Sequence, residues 1–341
     1  HIPLEHLSWK TLSGQADMTL PTGHIVPSGP LDLHMTRLAD LRDLTGQDIG
    51  GHLSASLHST SATADSPSAL AVNVDSALAA PIARIDRLVL RGRVLDPVGA
   101  TPTSDLDLMV DNAHFRDMSG HAHVTAKGPT SALNVTAQSG LDTPWTGPAT
   151  LDTALVANLP ASSVAMHRLV AEARREQVRL DAPVSVTYGK EIAIDHLRMS
   201  LTPPGGQSGS VEVAGKIRPT LDLHATLARL SPDLVAPFVP SLHAQGQLSA
   251  EARLTGTPDR PSGRISVNGT GLKYHTDYTS SLAPASLDAT AVLTSGMARV
   301  DARMQAGTQV NLGLHGTAPV NRAGQITLQA EGNMDLAVAN A

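Results

Sequence analysis

Aromatic side chains are almost missing from this sequence. Its 341 residues include two Trp, three Tyr and two Phe, which is 2%, while the hydrophobic fraction is 41%. Aromatic rings normally supply much of the buried area of a core, so here Leu, Val, Ile and Ala must supply it. Sugar-binding sites usually stack their ligands on aromatic rings, and the shortage therefore disfavours a carbohydrate-active protein.

Cysteine is absent and charged residues are scarce. With 0 Cys, a disulfide framework, thiolate catalysis and cysteine-ligated zinc or iron–sulfur sites are excluded. Charged residues make up 16%, with 25 basic against 31 acidic side chains and a net charge of −6. Because no run of Lys and Arg concentrates positive charge, nucleic-acid binding is disfavoured.

Long apolar runs are missing as well. No window approaches the roughly 20 apolar residues that a membrane-spanning helix needs. The chain starts at His1-Ile2-Pro3 without a charged-then-apolar leader, and it stops inside the patterned stretch Met334–Ala341. We therefore expect an internal segment of a larger protein, whose membrane anchor lies outside these residues.

What the sequence does contain is alternation of apolar and polar residues with a period of two. In Leu248-Ser-Ala-Glu-Ala-Arg-Leu254 every second residue is Leu or Ala, and the residues between them are polar. Such alternation is typical of strands with one face on a core and one in water. It recurs in Leu106–Val110, Leu133–Ala137, Val184–Tyr188, Val211–Val213, Leu221–Leu227, Val310–Leu314 and Ile326–Ala330.

Turn-forming residues separate these runs, and the short spacing predicts an antiparallel meander instead of βαβ units. The predicted turns are Pro203–Gly206, Gly256–Pro258, Pro261–Gly263, Gly269–Gly271 and Gly307. Helix signals are few. Ser231–Phe238 is predicted as a short helix with Ser231 as N-cap and Pro232 at N1. A second helix is predicted over Ser162–Glu176, with Val164, Leu169 and Ala173 as its apolar stripe.

An internal repeat relates two parts of the chain. Pro30–Leu38 matches Thr220–Ala228 at an offset of 190 residues, that is, 221 − 31. Each copy continues through a short helix-like piece, Ala39–Leu44 in the first, into a strand that contains Gly-x-Leu-Ser-Ala. A third partial copy begins at Gly332. We predict one elongated repetitive β-structure over 1–341, with repeat-like units at about 30–100 and 220–330.

Catalytic and metal-binding constellations were sought among the polar residues. His121 and His123 share a strand face with Thr125, which predicts solvent-facing side chains instead of a metal site. His34 and His224 occupy the same position of the repeat and are also predicted on polar faces. Asp105 and Asp107 form a carboxylate pair on one strand face, without a sign of the pocket that acid–base catalysis needs.

No nucleophile elbow, phosphate-cradling glycine loop or His-Glu-x-x-His helix occurs in the sequence. Gly206-Gln-Ser-Gly-Ser210 comes nearest to an elbow and lacks its last glycine. We therefore predict a protein that is not an enzyme, with no catalytic residues, no metal and no cofactor.

The apolar face of the sheet needs a cover, and helices are too scarce to provide one. Burying one Val or Leu is worth about 1.5–3 kcal/mol, so an uncovered face would cost on the order of 100 kcal/mol, far above the net stability of a domain. Two solutions remain. Either the sheet closes into a dry sandwich or barrel, or it curls into a trough that holds acyl chains.

The run Leu248–Val267, with its order of strand, Gly-Thr, Pro, Gly and strand, resembles the recurring unit of the TamB family. These are the translocation and assembly module proteins of Gram-negative bacteria, which belong to the broader AsmA-like group. Leu221–Pro240, Val178–Val186 and Ile192–Leu197 are similar too. The resemblance covers Val178–Ala341 well and the first half of the chain more loosely.

The resemblance implies a periplasmic protein, anchored to the inner membrane by an N-terminal helix that is not present in this chain. It implies a long β-structure with an apolar groove, and an Omp85-type outer-membrane barrel partner that is contacted through parts outside this chain. It also implies roles in moving phospholipid between the membranes and in outer-membrane protein assembly.

We therefore predict an all-β fold, an elongated antiparallel meander curled into an apolar groove (β-taco-like) with one or two short helices. The predicted function is to shield phospholipid acyl chains in that groove without chemistry. The alternative is a closed, dry β-sandwich or repeat domain of a surface adhesin or structural protein. The candidate groove-lining residues, taken from the alternating apolar faces, are Leu221, Leu223, Leu248, Ala250, Ala252, Leu254, Ile265, Val267, Val310, Leu312, Leu314, Ile326 and Leu328.

Overall fold

A computed structural model gives the fold of this chain. It describes residues 2–20, 22, 25–46, 48–144, 147–174, 176–203, 207–231, 244–274, 283–320 and 325–334. The chain divides into two units, His1–Val164 and Ala165–Ala341, and each is described by itself. Over the described residues there are 22 strands, one 3₁₀ turn and one short α-helix.

The first unit is an antiparallel meander in which each strand pairs with the next strand along the chain. Its strands are β1 (Ile2–Trp9), β2 (Leu12–Met18), β3 (Gly29–Met35), β4 (Gly50–Thr60), β5 (Ala69–Ala80), β6 (Ala83–Leu95), β7 (Thr103–Phe115), β8 (Met118–Pro129), β9 (Leu133–Thr143) and β10 (Gly147–Asn158).

The second unit continues the same plan. Its strands are β11 (Ser163–Ala173, which begins at the end of the first unit), β12 (Glu176–Leu180), β13 (Val184–Thr187), β14 (Ile192–Thr202), β15 (Gly209–Arg218), β16 (Leu221–Leu230), β17 (Ala244–Thr257), β18 (Arg260–Tyr274), β19 (Ala285–Thr294), β20 (Met297–Ala306), β21 (Val310–Pro319) and β22 (Thr327–Met334). β12 and β13 both pair with β14, as two halves of one strand that is interrupted before Val184. From β14 to β22 each strand pairs with the next one.

The predicted all-β antiparallel meander is thus confirmed. Each of the alternating runs from which it was predicted lies in a strand, although Ile326 lies one residue before β22 and Tyr188 one residue after β13. Among the described residues no helix is long and apolar enough to span a membrane.

The predicted helix over Ser162–Glu176 is wrong, because this segment forms β11 and the start of β12. Ala173 pairs with Glu176 across a tight connection, in which Arg174 has a φ of 50°. Leu169, Ala171 and Ala173 are half-buried, whereas Glu172 and Arg174 are exposed. Exposure that alternates with a period of two is typical of a strand, whereas the apolar stripe of Val164, Leu169 and Ala173 is a weak signal for a helix.

The other predicted helix begins at the edge of the described residues, since Ser231 is described and 232–243 are not. A short helix does occur in the first copy of the repeat, where a 3₁₀ turn (Leu38–Leu41) runs into α1 (Arg42–Thr45). Leu38 is 4% exposed, and the 3₁₀ turn packs on β4. Thr11 on the neighbouring connection donates a hydrogen bond to the Asp40 carboxylate at 2.6 Å, which ties this turn to β2.

In both copies of the repeat the first strand pairs with the second, but the two copies differ in strand register. In the first, Leu31 pairs with Leu57 and Leu33 with Ala55. In the second, Leu221 pairs with Gly256 and Leu223 with Leu254. The connection between the paired residues is nine residues longer in the second copy, since (256 − 221) − (57 − 31) = 9. The repeat in the sequence therefore corresponds to a repeated pair of strands.

The predicted turn at Pro261–Gly263 is wrong, because β18 runs through it, and the same is true of Gly269–Gly271. Gly263 has a φ of +142°, and a Cβ at this position would collide with the carbonyl oxygen of Arg253 on β17. Glycine therefore allows a local backbone kink within the paired strands instead of ending a strand.

Candidate functional site

The strand register of the second unit builds a continuous row of aliphatic side chains. Residues directly opposite each other in an antiparallel pair share one face of the sheet. From β14 to β22 one residue of each strand lies opposite a residue of the strand before it. These residues, in strand order, are Met199, Val211, Leu227, Ala250, Val267, Ala289, Ala302, Leu314 and Ala330. No charged or polar side chain interrupts this row.

Two further rows flank it on the same face. One consists of Leu197, Val213, Ala225, Ala252, Ile265, Ala291, Val300, Gly316 and Leu328. The other runs from β17 to β22 through Leu248, Gly269, Leu287, Met304, Leu312 and Gly332. We call the surface formed by these three rows the apolar face of the second unit.

The candidate lining residues predicted from the sequence, apart from Ile326, lie in strands on the apolar side of the sheet. Leu223 on β16 and Leu254 on β17 lie opposite each other in a row beside this face, and Leu221 lies opposite Gly256 in the next row. Val310 lies two positions before Leu312 on β21, on the same side of the sheet. The predicted residues that are members of the three rows are Leu248, Ala250, Ala252, Ile265, Val267, Leu312, Leu314 and Leu328. Ile326 precedes β22 and is 63% exposed.

The sequence analysis missed several residues of this face. Leu287 on β19 and Val300 and Met304 on β20 lie in its rows. The signal was present, since apolar and polar residues alternate through Ala298–Ala306 and their exposure alternates with them.

A concavity of 420 Å³ opens on the apolar face between β19 and β22. Leu287, Met304, Leu312 and Leu314 supply its larger side chains, and the rest of its lining is Ala, Gly, Arg303 and Glu331. Its apolar lining and its size fall in the range of sites for small organic ligands.

Burial on this face is partial. Among the described residues, 11 hydrophobic residues form the buried set and no side chain is less than 2% exposed. Most side chains of the apolar face are half-buried, shielded by one another, and Leu314 and Leu328 are 36% and 46% exposed. A closed sandwich would instead place many such side chains in a dry interior.

The accessible surface supports the same conclusion. It is 20609 Å² for this 35.4 kDa chain. A compact protein of that mass exposes about 13,000 Å², and two separate compact bodies of half the mass expose roughly 16,000 Å² together. The chain therefore exposes more surface than compact bodies of its mass.

The first unit has a matching face. Successive opposite residues from β2 to β10 are Ala16, Leu31, Leu57, Val72, Gly92, Leu106, Ala126, Val135 and Leu155. The predicted lining residues all came from the second half of the chain, so this face was also missed.

The opposite side of each unit is polar. His123 Nε2 lies 2.9 Å from the Asp107 carboxylate, and Lys127 Nζ lies 3.1 Å from that of Asp105. His224 Nε2 lies 3.6 Å from Glu251 on the next strand. His34, His121, His123 and His224 are exposed, as predicted. Within the described residues no group of three or more His, Asp or Glu is arranged to hold a metal ion.

Comparisons with known proteins add no family assignment. The chain matches no protein-family model, no curated protein and no solved structure.

Proposed function

We propose that this chain shields lipid acyl chains along its apolar face, as a non-enzymatic part of a larger periplasmic protein. The observation that carries the proposal is the apolar face of the second unit, where nine consecutive strands present aliphatic residues that the described chain covers only in part.

Hydrocarbon is the cover that suits such a face best. The rows consist of Leu, Val, Ile, Met, Ala and Gly, which offer neither hydrogen bonds nor charge to a polar ligand. An acyl chain gains about 0.8 kcal/mol for each CH₂ group that it buries, and it needs no specific contacts in return. A row of such residues across many strands accommodates a long flexible chain at several positions.

The resemblance of Leu248–Val267 to the TamB repeat supports a place in phospholipid transport between the inner and outer membranes, and in outer-membrane protein assembly. On this proposal the parent protein is anchored in the inner membrane and works with an Omp85-type barrel. The partial burial of the apolar face weighs against the alternative, a closed and dry adhesin domain.

Photo-crosslinking of neighbouring residues tests the proposal. A crosslinking amino acid at Val267, on the apolar face of β18, is expected to label co-purifying phospholipid, as detected by mass spectrometry. The same amino acid at Asn268, on the polar face of the same strand, is the matched control and is expected to stay unlabelled. Equal labelling at the two positions, or lipid-free protein after purification from membranes, would contradict the proposal.

A further inference from the structure

The polar face of the second unit carries a row of basic residues that acyl-chain shielding does not use. Successive opposite residues from β16 to β20 are His224, Arg253, Arg264, Val292 and Arg299. All five are exposed. Arg253 and Arg264 lie directly opposite each other on β17 and β18, and we call them the arginine pair.

Two like charges directly opposite each other destabilise an antiparallel pair of strands. Several other arginines of this chain lie opposite acids. Arg91 on β6 is opposite Asp107 on β7, and Asp288 on β19 is opposite Arg303 on β20. The arginine pair departs from this pattern, and an anionic partner from outside the chain would remove the repulsion.

Several of the side chains around Arg264 carry hydroxyls. Ser262 and Ser266 flank it on β18 and face the same side. Thr290 and Thr294 hold the diagonal positions on β19, at the distance of about 7–8 Å that is usual for such neighbours. Within the described residues no carboxylate lies within ion-pair distance of Arg264.

The one acid beside the pair belongs to Arg253. Glu251 Oε1 lies 2.9 Å from Arg253 Nη2, and it also lies 3.6 Å from His224. The Glu251 side chain is 49% exposed, so water screens this ion pair. Arg253 keeps its other guanidinium donors for a ligand, because the guanidinium carries five N–H groups.

We infer that the arginine pair, together with the hydroxyl of Ser262 or Ser266, binds a phosphate group. Guanidinium groups bind phosphate through two parallel charge-assisted hydrogen bonds, and two of them on neighbouring strands can hold the same group. The serine hydroxyl donates a further hydrogen bond to one of its oxygens. The phosphate comes either from a free phosphate ion or from an anionic lipid headgroup. The site lies on the face opposite the acyl-binding face and does not depend on the proposed function.

Selective NMR of arginine Nε–H groups in the full chain tests the site with inorganic phosphate as the probe. The signals of Arg253 and Arg264 are expected to shift in a saturable manner. Arg264→Gln is expected to weaken binding about tenfold, since it removes charge-assisted hydrogen bonds to the anion. Arg198→Gln is the matched control. Arg198 lies on the same face, 3.6 Å from Glu212, and its replacement is expected to leave phosphate binding unchanged.

A second measurement identifies the source of the phosphate. Vesicles of phosphatidylcholine with phosphatidylglycerol are compared with phosphatidylcholine alone in a sedimentation assay. Binding that needs phosphatidylglycerol and falls in Arg264→Gln assigns the site to headgroups, while saturation by inorganic phosphate without vesicle binding assigns it to the free ion. The inference is overturned if neither probe binds, or if all arginines shift alike. Leu312→Asp on the apolar face is expected to leave inorganic phosphate binding intact, which separates this site from the acyl-binding face.

Discussion

Replacing Leu312 with Asp is the sharpest perturbation of the apolar face. Leu312 lies on β21, opposite Met304 on β20 and Gly332 on β22, and it lines the 420 Å³ concavity. The substitution keeps the backbone pairing with both neighbouring strands. It changes the side chain that we expect to contact hydrocarbon, so lipid binding is expected to fall while the strands persist.

The magnitude follows from two contributions. Leu312 is half-buried in the absence of lipid, so an acyl chain covers only part of its area and the lost contact is worth about 1–2 kcal/mol. Covering an aspartate with hydrocarbon costs at least another 2 kcal/mol or so, because the carboxylate loses water and gains no partner. The sum corresponds to a loss of affinity of about 100-fold or more.

The assay measures the dissociation constant of a fluorescent fatty acid, together with the phospholipid that co-purifies with the protein. Asn311→Asp is the matched control, since it adds the same charge to the same strand on the exposed polar face. Far-UV circular dichroism checks the strand content. Equal dissociation constants for Leu312→Asp, Asn311→Asp and the wild type would refute the reasoning.

If Leu312→Asp loses strand content, the variant Leu328→Asp provides a second test of lipid binding. Leu328 lies on β22 and is 46% exposed, so an aspartate there stays in water when no lipid is bound. Gln329→Asp is its neighbour and control. A folded Leu328→Asp protein that binds lipid as the wild type does would count equally against the proposal.

Two further predictions concern the fold. Gly263→Ala is expected to lower the free energy of unfolding by about 1–3 kcal/mol in urea titrations, because the φ of +142° and the Arg253 carbonyl leave no room for a Cβ. Gly313→Ala is the control. A Cβ at Gly313 would meet only ordinary contacts, so this substitution should change the free energy of unfolding by less than about 1 kcal/mol. The hydrogen bond from Thr11, with help from a nearby arginine, lowers the pKa of Asp40 in the folded protein below its usual 3.8. The ionised Asp40 carboxylate therefore stabilises the fold fully above pH 3.8, and this stabilisation is lost as the pH falls through the pKa of the folded state. Carbon-13 NMR of the Asp40 carboxyl should show this pKa moving up towards 3.8 in Thr11→Ala, and an unchanged value would contradict the assigned cause.

Much of the fold could be predicted because short segments of this sequence are enough to identify its strands. The alternation in Leu248–Leu254 and in Leu221–Leu227 is enough to place both strands and to separate their faces. Once the faces are known, the pairing register is constrained, since a slip of one residue would move every Leu and Ala to the polar side. The residues of the apolar face follow from the same pattern.

The errors came from residues whose role depends on neighbours that are distant in sequence. Gly263 looks like a turn residue on local grounds, yet pairing with β17 turns it into a kink within a strand. The stretch Ser163–Ala173 contains a weak helical stripe that pairing with β12 overrides. The arginine pair could not be recognised before the register was known, because Arg253 and Arg264 are eleven positions apart in the sequence and only the pairing of β17 with β18 brings them opposite each other.

The shortage of aromatic residues fits an open apolar face better than a packed core. In the rows of this face Leu, Val and Met are interspersed with Ala and Gly, as where Leu312 lies opposite Gly332. A sealed core would need larger side chains in place of the small ones to remove empty space, since a cavity in a core reduces stability. On an open face the small residues leave the 420 Å³ concavity, and a Phe in place of Ala330 would fill part of it. On the proposed function, the composition that makes a conventional core difficult is therefore the composition that keeps room for hydrocarbon.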